Sequence, residues 1–252
     1  MYPTLFHIGS FEITSFGAMV ALAAVVGMWL FQREAEWSGL AANVSDAGAI
    51  GVVGGLLGAK LLWTLEHMGT APIPDLLFSR GGLSWYGGFL GGVGSGLIYV
   101  RLRNWPVLAV VSAATPALAV GQMIGRIGCL LVGDDYGWPS DLPWAVSFPE
   151  GLPPTTVPVH PTQIYEAIGL GLIAMFLIRW RRRRIGDAEV VGRYLLAVGI
   201  LRFFVEFVRV HEPLALGLAP AHWMSLGAAL AGLLLQMKSG RRPSALPPSR
   251  QV

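Results

Sequence analysis

The sequence has little charge and almost no cysteine. Charged residues make up 13% of its 252 residues, and apolar residues make up 54%. A soluble domain carries about 25% charged residues, so this composition excludes an ordinary soluble globular protein. The single cysteine, Cys129, excludes an internal disulfide and a zinc site built on cysteines.

Positive charge is also sparse and is scattered in short clusters. The net charge of +3 comes from basic residues between apolar runs, where they orient a membrane protein, and we therefore expect no nucleic-acid partner. No basic residue precedes Arg33, so the first apolar run lacks the positive segment of a cleaved signal peptide and is predicted to remain as a span. The five histidines have no metal-ligand spacing, and we expect no metal ion and no cofactor.

Long apolar runs dominate what is present. Each run is about as long as a helix needs to cross a bilayer, which predicts an all-α, polytopic membrane protein with about seven transmembrane helices. The runs are approximately Ser15–Phe31, Ala47–Leu65, Trp85–Val100, Val107–Ile124, Gln163–Ile178, Val190–Val208 and Ala219–Leu235. We expect one integral-membrane domain over residues 1–238, with an irregular extracytoplasmic loop at about 138–161, and a disordered cytoplasmic tail over 239–252.

The basic clusters predict the orientation of these spans. Every strong cluster follows an odd-numbered run: Arg101 and Arg103, then residues 179–184, then Lys238 with Arg241 and Arg242. Because cytoplasmic loops carry the excess of lysine and arginine, the N-terminus is predicted outside and the C-terminus in the cytoplasm. Segments 68–84, 126–162 and 209–218 then lie at the outer face.

Glycines recur at four-residue spacing inside the second and third apolar runs. This spacing lets helices approach closely, so we interpret these glycines as packing positions. A dinucleotide site is excluded, because they lie within spans and not between a strand and a helix. The glycines are Gly51, Gly54, Gly55 and Gly58 in one run and Gly87, Gly88, Gly91, Gly92 and Gly96 in the other.

Four polar segments fall at the predicted outer ends of spans. They are residues 84–86, Arg126 with Asp134 and Asp135, residues 160–166, and residues 202–209. Charge at a membrane is costly, so such residues usually face a polar cavity or a partner. Arg126 stands among glycines that let an anionic ligand approach, and its guanidinium suits a phosphate. Arg202 either binds a ligand in the same way or only pairs with Glu206 on its own helix.

These segments resemble the bacterial prolipoprotein diacylglyceryl transferase family. In chain order, residues 81–88 (GGLSWYGG) resemble its glycine-rich start of the third span, 125–137 (GRIGCLLVGDDYG) its signature, 160–166 (HPTQIYE) its HPxQxYE segment, and 202–209 (RFFVEFVR) its RFxxEFxR segment. The resemblance covers nearly the whole chain. It implies a multi-pass protein of the bacterial inner membrane whose active site faces the outer leaflet. The implied partners are phosphatidylglycerol, membrane lipid, and the signal-peptide and lipobox segment of a prolipoprotein. The implied reaction transfers the diacylglyceryl group to the lipobox cysteine thiol and releases glycerol phosphate.

The resemblance and the chemistry together predict the site residues. Attack by a thiolate on the glyceryl carbon expels a phosphate ester, so the site must bind an anion and favour the thiolate. Arg126 and Arg202 are predicted to hold the phosphate. The predicted catalytic residues are Arg126, Arg202, Tyr86, Asp134 and Glu206. The predicted substrate-binding residues are Arg126, Arg202, Gly87, Gly88, His160, Gln163, Tyr165, Glu166 and Arg209.

The chain also departs from the family pattern inside the motifs. The family usually has histidine at Tyr86, asparagine at Cys129 and Val132, glutamate at Asp134 and tyrosine at Phe16. An unperturbed tyrosine, with a pKa near 10, is a poor base. If the family histidine takes the thiol proton, that role is either unfilled here or falls to His160, Glu206 or a Tyr86 with a shifted pKa. Two alternatives remain open: a paralogue that uses the same donor with another acceptor, and a non-catalytic lipid-binding membrane protein.

Overall fold

The computed structural model describes residues 4–9, 11–79, 82–210 and 214–239, and this part of the chain is mostly helical. Gly81 and the predicted tail from residue 240 lie outside the described residues, and Ser239 ends the last helix. The elements in chain order are β1 (Thr4–Ile8), β2 (Phe11–Thr14), α1 (Ser15–Trp37), α2 (Asp46–Glu66), α3 (Ile73–Phe78), α4 (Trp85–Leu102), α5 (Val107–Val132), β3 (Val146–Phe148), β4 (Thr155–Val159), α6 (Thr162–Arg182), α7 (Asp187–Glu206) and α8 (Pro220–Ser239).

The apolar runs form helices, as predicted. Within the described residues, α1, α2, α5 and α6 are long and apolar enough to cross a membrane. Helices α4, α7 and α8 have 18, 20 and 20 residues. A mostly helical membrane protein is therefore confirmed, and the count of seven spans stays a prediction.

Helix α5 is longer than the apolar run that predicted it. The run ends near Ile124, whereas the helix continues to Val132, because apolar residues recur through its last two turns. Gly133 follows its last residue. The φ of Gly133, +71°, is the left-handed conformation that favours glycine, and its amide donates to the carbonyl of Cys129. Arg126 consequently projects from a helix and not from a loop.

The predicted irregular loop contains a β-hairpin. Strands β3 and β4 pair antiparallel, with Val146 opposite Val159 and Phe148 opposite Thr155. Phe148 and Val159 are buried, so the hairpin has its own apolar anchor. The prediction of irregular structure over 138–161 was wrong for these strands, because prolines and a short length hide their alternation. A second antiparallel hairpin, β1–β2, precedes α1 and was not predicted.

The described residues fall into two compact units, and the single-domain expectation stays a prediction. The first unit holds the residues up to Gly27 and those from Thr115 onward. Its core includes Leu177 and Val190 on α6 and α7. Helix α7 packs closely on α8, and a Cβ on Gly192 would lie only 2.7 Å from the carbonyl oxygen of Gly232.

The second unit, residues 28–114, is built on the packing of α2 against α4. A Cβ on Gly58 would lie 2.4 Å from the carbonyl oxygen of Gly87, and a Cβ on Gly91 would lie 2.3 Å from that of Gly54. Real Cβ atoms do not approach so closely, so these positions require glycine. The packing interpretation of the glycine spacing is confirmed.

Candidate active site

A buried glutamate joins two arginines from different helices. Glu166, in the first turns of α6, contacts Nε of Arg126 on α5 through its Oε2. Its Oε1 lies 2.5 Å from Nη1 of Arg202 on α7. The Glu166 side chain is 5% exposed, whereas those of Arg126 and Arg202 are 24% and 26% exposed. One carboxylate therefore holds together the two arginines that were predicted to bind phosphate.

Two further acids and a third arginine extend these ion pairs. Nη2 of Arg202 lies 2.8 Å from Oε2 of Glu206, one turn later on α7. Asp135, just beyond α5, has its Oδ2 2.8 Å from Nη1 of Arg126 and contacts Nη2 of Arg209 through Oδ1. We call this set the arginine network; its members are Arg126, Asp135, Glu166, Arg202, Glu206 and Arg209.

The arginine network has balanced formal charge but unequal burial. Glu166 and Glu206 are almost fully enclosed, whereas the Asp135 side chain is 43% exposed. The ion pairs use Nε and Nη1 of Arg126 and the two terminal nitrogens of Arg202. Within the described residues, Nη2 of Arg126 and Nε of Arg202 are left to donate to a ligand. Asp135 is the most exposed acid of the arginine network.

The pKa values of the neighbouring acids Asp134 and Asp135 shift in opposite directions. Burial raises the pKa of Asp134 and outweighs its hydrogen bond with the Cys129 thiol, which lowers it, and the negative charge of Asp135 adds to the effect of burial. Burial alone would also raise the pKa of Asp135. The hydrogen bond and ion pair with Arg209, followed by the charge of Arg126, outweigh burial, so the pKa of Asp135 lies below its usual value. Asp135 is thus the acid that pairs with the arginines, and it was not among the predicted site residues. The sequence alone could not show which of the two adjacent acids makes these contacts. One carboxylate oxygen of Asp134, Oδ1, is buried with no hydrogen-bond partner among the described residues.

The first turn of α6 fixes the backbone of both acids. The Gln163 amide donates from Nε2 to the carbonyl of Asp134 at 2.5 Å, and the Thr162 hydroxyl donates to the carbonyl of Asp135 at 2.5 Å. Both side chains are buried. Gln163 therefore positions the acids, and its predicted contact with substrate stays a prediction.

Cys129 is buried on α5, with Sγ 3.9 Å from Nη1 of Arg126. Three possible metal-ligand atoms lie within 4.8 Å of one another here: the Cys129 thiol sulfur and one carboxylate oxygen each from Asp134 and Asp135. Both oxygens of Asp135 are already engaged by guanidinium groups. Because a cation would have to compete with two arginines there, the donor set is poorly suited to a metal ion.

His160 and Tyr165 form a second polar group with a residue that the sequence did not indicate. The indole Nε1 of Trp144 donates to the Tyr165 hydroxyl at 2.8 Å, and His160 Nδ1 lies 3.3 Å from the same oxygen. All three line an apolar groove along α6 and α7. Tryptophan in a proline-rich loop carries no spacing signal, so Trp144 was found only by its tertiary contact.

Tyr86, Gly87 and Gly88 lie on α4 in the second unit, whereas the arginine network is drawn entirely from the first. Tyr86 is half-exposed and meets the Trp85 ring edge-on, with centroids 5.4 Å apart. Gly87 packs against Gly58 of α2. The roles predicted for these three residues in catalysis and substrate binding stay predictions.

Comparison with known proteins settles the family. The family model described as prolipoprotein diacylglyceryl transferase matches residues 3–238. The chain belongs to this family. The resemblance inferred from the four ordered motifs is thereby confirmed.

Relatives that carry the name phosphatidylglycerol–prolipoprotein diacylglyceryl transferase match over most of their length. The protein from Clostridium tetani is 34% identical over 213 residues, which cover 83% of this chain and 86% of the relative. The one from Idiomarina loihiensis is 33% identical over 254 residues, covering 95% and 94%. The one from Geobacter sulfurreducens is 34% identical over 256 residues, covering 95% and 96%. The range of the family model, residues 3–238, includes α5, α6, α7 and the residues just after α5 and α7, which together carry the arginine network.

Proposed function

We propose that the protein transfers the diacylglyceryl group of phosphatidylglycerol to the lipobox cysteine thiol of prolipoproteins and releases glycerol phosphate. Family membership and the names of the relatives support this reaction. The observation that carries it is the pairing of Arg126 and Arg202 on the buried Glu166. It makes a fixed site for an anion at the ends of apolar helices, as a lipid phosphate requires.

The arginines bind the donor and stabilise the leaving group. The phosphodiester accepts hydrogen bonds from Nη2 of Arg126 and Nε of Arg202, and it replaces the exposed Asp135 on Arg126. Guanidinium groups stay protonated at any physiological pH. As the bond between the glyceryl carbon and the phosphate oxygen breaks, negative charge grows on that oxygen. Fixed positive groups in a partly dry site stabilise this charge more in the transition state than in the bound donor.

The acceptor thiol must lose its proton before or during attack. We assign the proton to Asp134, whose raised pKa and unpartnered, buried Oδ1 suit a general base. The alternatives fit less well: Glu206 is already paired with Arg202, and Nδ1 of His160 is within hydrogen-bond distance of Tyr165. The sulfur forms the new bond to carbon, the electron pair of the broken bond goes to the phosphate oxygen, and glycerol phosphate leaves as an anion.

The proposal includes seven spans, with this chemistry at the outer leaflet of the bacterial inner membrane. Within the described residues, the seven long helices α1, α2 and α4–α8 support that count. Basic residues at the end of α6 and of α8 support a cytoplasmic position for those ends. Phosphatidylglycerol and the signal-peptide segment of the prolipoprotein, both membrane-embedded, then reach the site laterally within the bilayer.

Purified protein in phosphatidylglycerol nanodiscs, mixed with a lipobox peptide, tests the proposal. Mass spectrometry should show the peptide gaining a thioether-linked diacylglyceryl group, and a peptide with serine in place of cysteine should gain nothing. If the lipid adduct appears only on a different acceptor, the proposal is wrong and the protein is the paralogue that uses another acceptor. Tight lipid binding without release of glycerol phosphate would replace it with a non-catalytic lipid-binding protein.

A further inference from the structure

An apolar groove of about 780 Å³ runs along α6 and α7. Its lining extends from Tyr165 to Phe176 on α6 and from Ala197 to Val205 on α7, and Trp144 lies at one end. Apart from His160, Tyr165 and the Trp144 indole, its side chains are hydrocarbon. We call it the α6–α7 groove.

The length of the groove fits an acyl chain. Eleven residue steps of an α-helix, from Tyr165 to Phe176, rise about 16 Å. One leaflet contributes about half of the hydrocarbon core of roughly 30 Å, so the groove is about as long as one leaflet is deep. The groove is open along one side, so a hydrocarbon chain can enter it laterally from the bilayer.

The polar end of the groove holds the His160 ring in place. The Trp144 indole can only donate, and it donates to the Tyr165 oxygen. Nδ1 of His160 lies 3.3 Å from the same oxygen. This contact uses one ring nitrogen of His160 and leaves Nε2 as the atom that can meet an ester carbonyl.

On both α6 and α7, residues that line the groove are next in sequence to residues of the arginine network. Tyr165 lines the groove and the next residue, Glu166, belongs to the network. On α7, Leu201 and Val205 line the groove, and Arg202 and Glu206 belong to the network. A lipid whose phosphate is held by the network therefore has the start of its hydrocarbon within reach of the groove.

We propose that the α6–α7 groove binds one acyl chain of the phospholipid donor, with its ester carbonyl accepting a hydrogen bond from Nε2 of His160. The proposal rests on the proposed function for the position of the phosphate. It makes His160 a positioning residue, with Trp144 and Tyr165 holding its ring, and it makes Leu172 and Phe176 part of the wall along the chain.

Direct labelling tests occupancy without turnover. Phosphatidylglycerol with a photoreactive group near the end of one acyl chain is incorporated into nanodiscs with the full chain and irradiated. The expected result is labelled peptide from the lining of α6 and α7, with Leu172→Trp reducing the label severalfold and Ile168→Trp leaving it unchanged. Both residues are exposed on α6, 49% and 60%, and only Leu172 lines the groove. Equal labelling of these two variants would overturn the proposal even if the protein is an active transferase.

Activity measurements then separate a lipid chain from the acceptor. Leu172→Trp should raise the KM for a long-chain donor about tenfold, leave a dioctanoyl donor unaffected and leave the peptide KM unchanged. His160→Gln, which keeps a donor near the Nε2 position, should retain more long-chain activity than His160→Ala. A raised peptide KM with no change in chain-length dependence would overturn the proposal and assign the groove to the apolar helix of the acceptor. Groove labelling without any peptide transfer would support the groove and count against the proposed function alone.

Discussion

The carboxylate of Glu166 contacts Nε of Arg126, and this contact joins the start of α6 to the end of α5. The acid is buried and the arginine is partly exposed, so the acid sets the orientation of the guanidinium plane while one edge of that plane remains accessible. The second carboxylate oxygen does the same for Arg202. The two arginines are thereby held before any lipid arrives, which avoids reorganisation at the moment of reaction.

Glu166→Gln should lower both stability and activity. The amide keeps the shape of the side chain but removes the charge that both arginines share. Breaking a buried ion pair by removing one partner costs about 3–5 kcal/mol, and a displaced guanidinium should raise the KM for phosphatidylglycerol. Thermal unfolding in detergent and initial rates are the measurements.

Glu189→Gln is the matched control for Glu166→Gln. Glu189 pairs with Arg193 on α7, four residues apart, and both side chains are about one-third exposed. Exposed pairs of this kind contribute at most about 1 kcal/mol. Equal losses in the two variants would show that the Glu166 contacts have no special role.

Asp135→Asn should tighten binding of the donor. Asp135 places an anion on Arg126 and Arg209, where the phosphate must compete with it. Removing the charge should lower the KM for phosphatidylglycerol severalfold, with little change in kcat. Kinetics over a range of lipid fractions in mixed micelles measure this. A higher KM would mean that Asp135 orders the arginines and does not compete with the ligand.

Asp134→Asn should abolish most transfer and make the protein more stable. Loss of a general base typically costs a factor of about 10² to 10⁴ in rate. The pKa of Asp134 is raised in the folded protein, mainly by burial, so its ionised form destabilises the fold increasingly as pH rises above the unfolded-state pKa of about 3.9. The stability gained by the variant should therefore be larger at neutral pH than near pH 4, and wild-type kcat should rise with pH through the Asp134 pKa. A variant with wild-type rates would assign the proton to another residue.

Gly91→Ala should loosen the second unit, whereas Gly94→Ala on the same helix should not. A Cβ on Gly91 would lie 2.3 Å from the carbonyl oxygen of Gly54, and a Cβ on Gly94 would meet nothing within 4 Å. The control should even gain about 0.5–1 kcal/mol, because alanine suits a helix better than glycine. Thermal unfolding of the two variants in the same detergent compares them, and similar melting temperatures would exclude close packing at Gly91.

The sequence predicted the helices well, because apolar length is a local signal. It also singled out Arg126, because an isolated charge is a local signal too, and the role of Arg126 stays a prediction. The Arg202–Glu206 pair was also predictable, since residues four apart share a helix face. The pairing of Glu166 with Arg126 and Arg202 was not, because it depends on how three helices pack. Which of the two adjacent acids, Asp134 or Asp135, contacts the arginines was not predictable either. It depends on the turn at Gly133, which follows α5 beyond the end of its apolar run.

The most direct test of the phosphate site is the activity of the Arg126→Ala variant. The measurement is the initial rate of diacylglyceryl-peptide formation in phosphatidylglycerol nanodiscs, with Arg193→Ala as the control. Arg193 pairs with Glu189 and lies outside the arginine network. The network predicts a loss of about 10² to 10³ or more in rate for Arg126→Ala and a wild-type rate for the control. A wild-type rate in Arg126→Ala would contradict the assignment of Arg126 to the lipid phosphate.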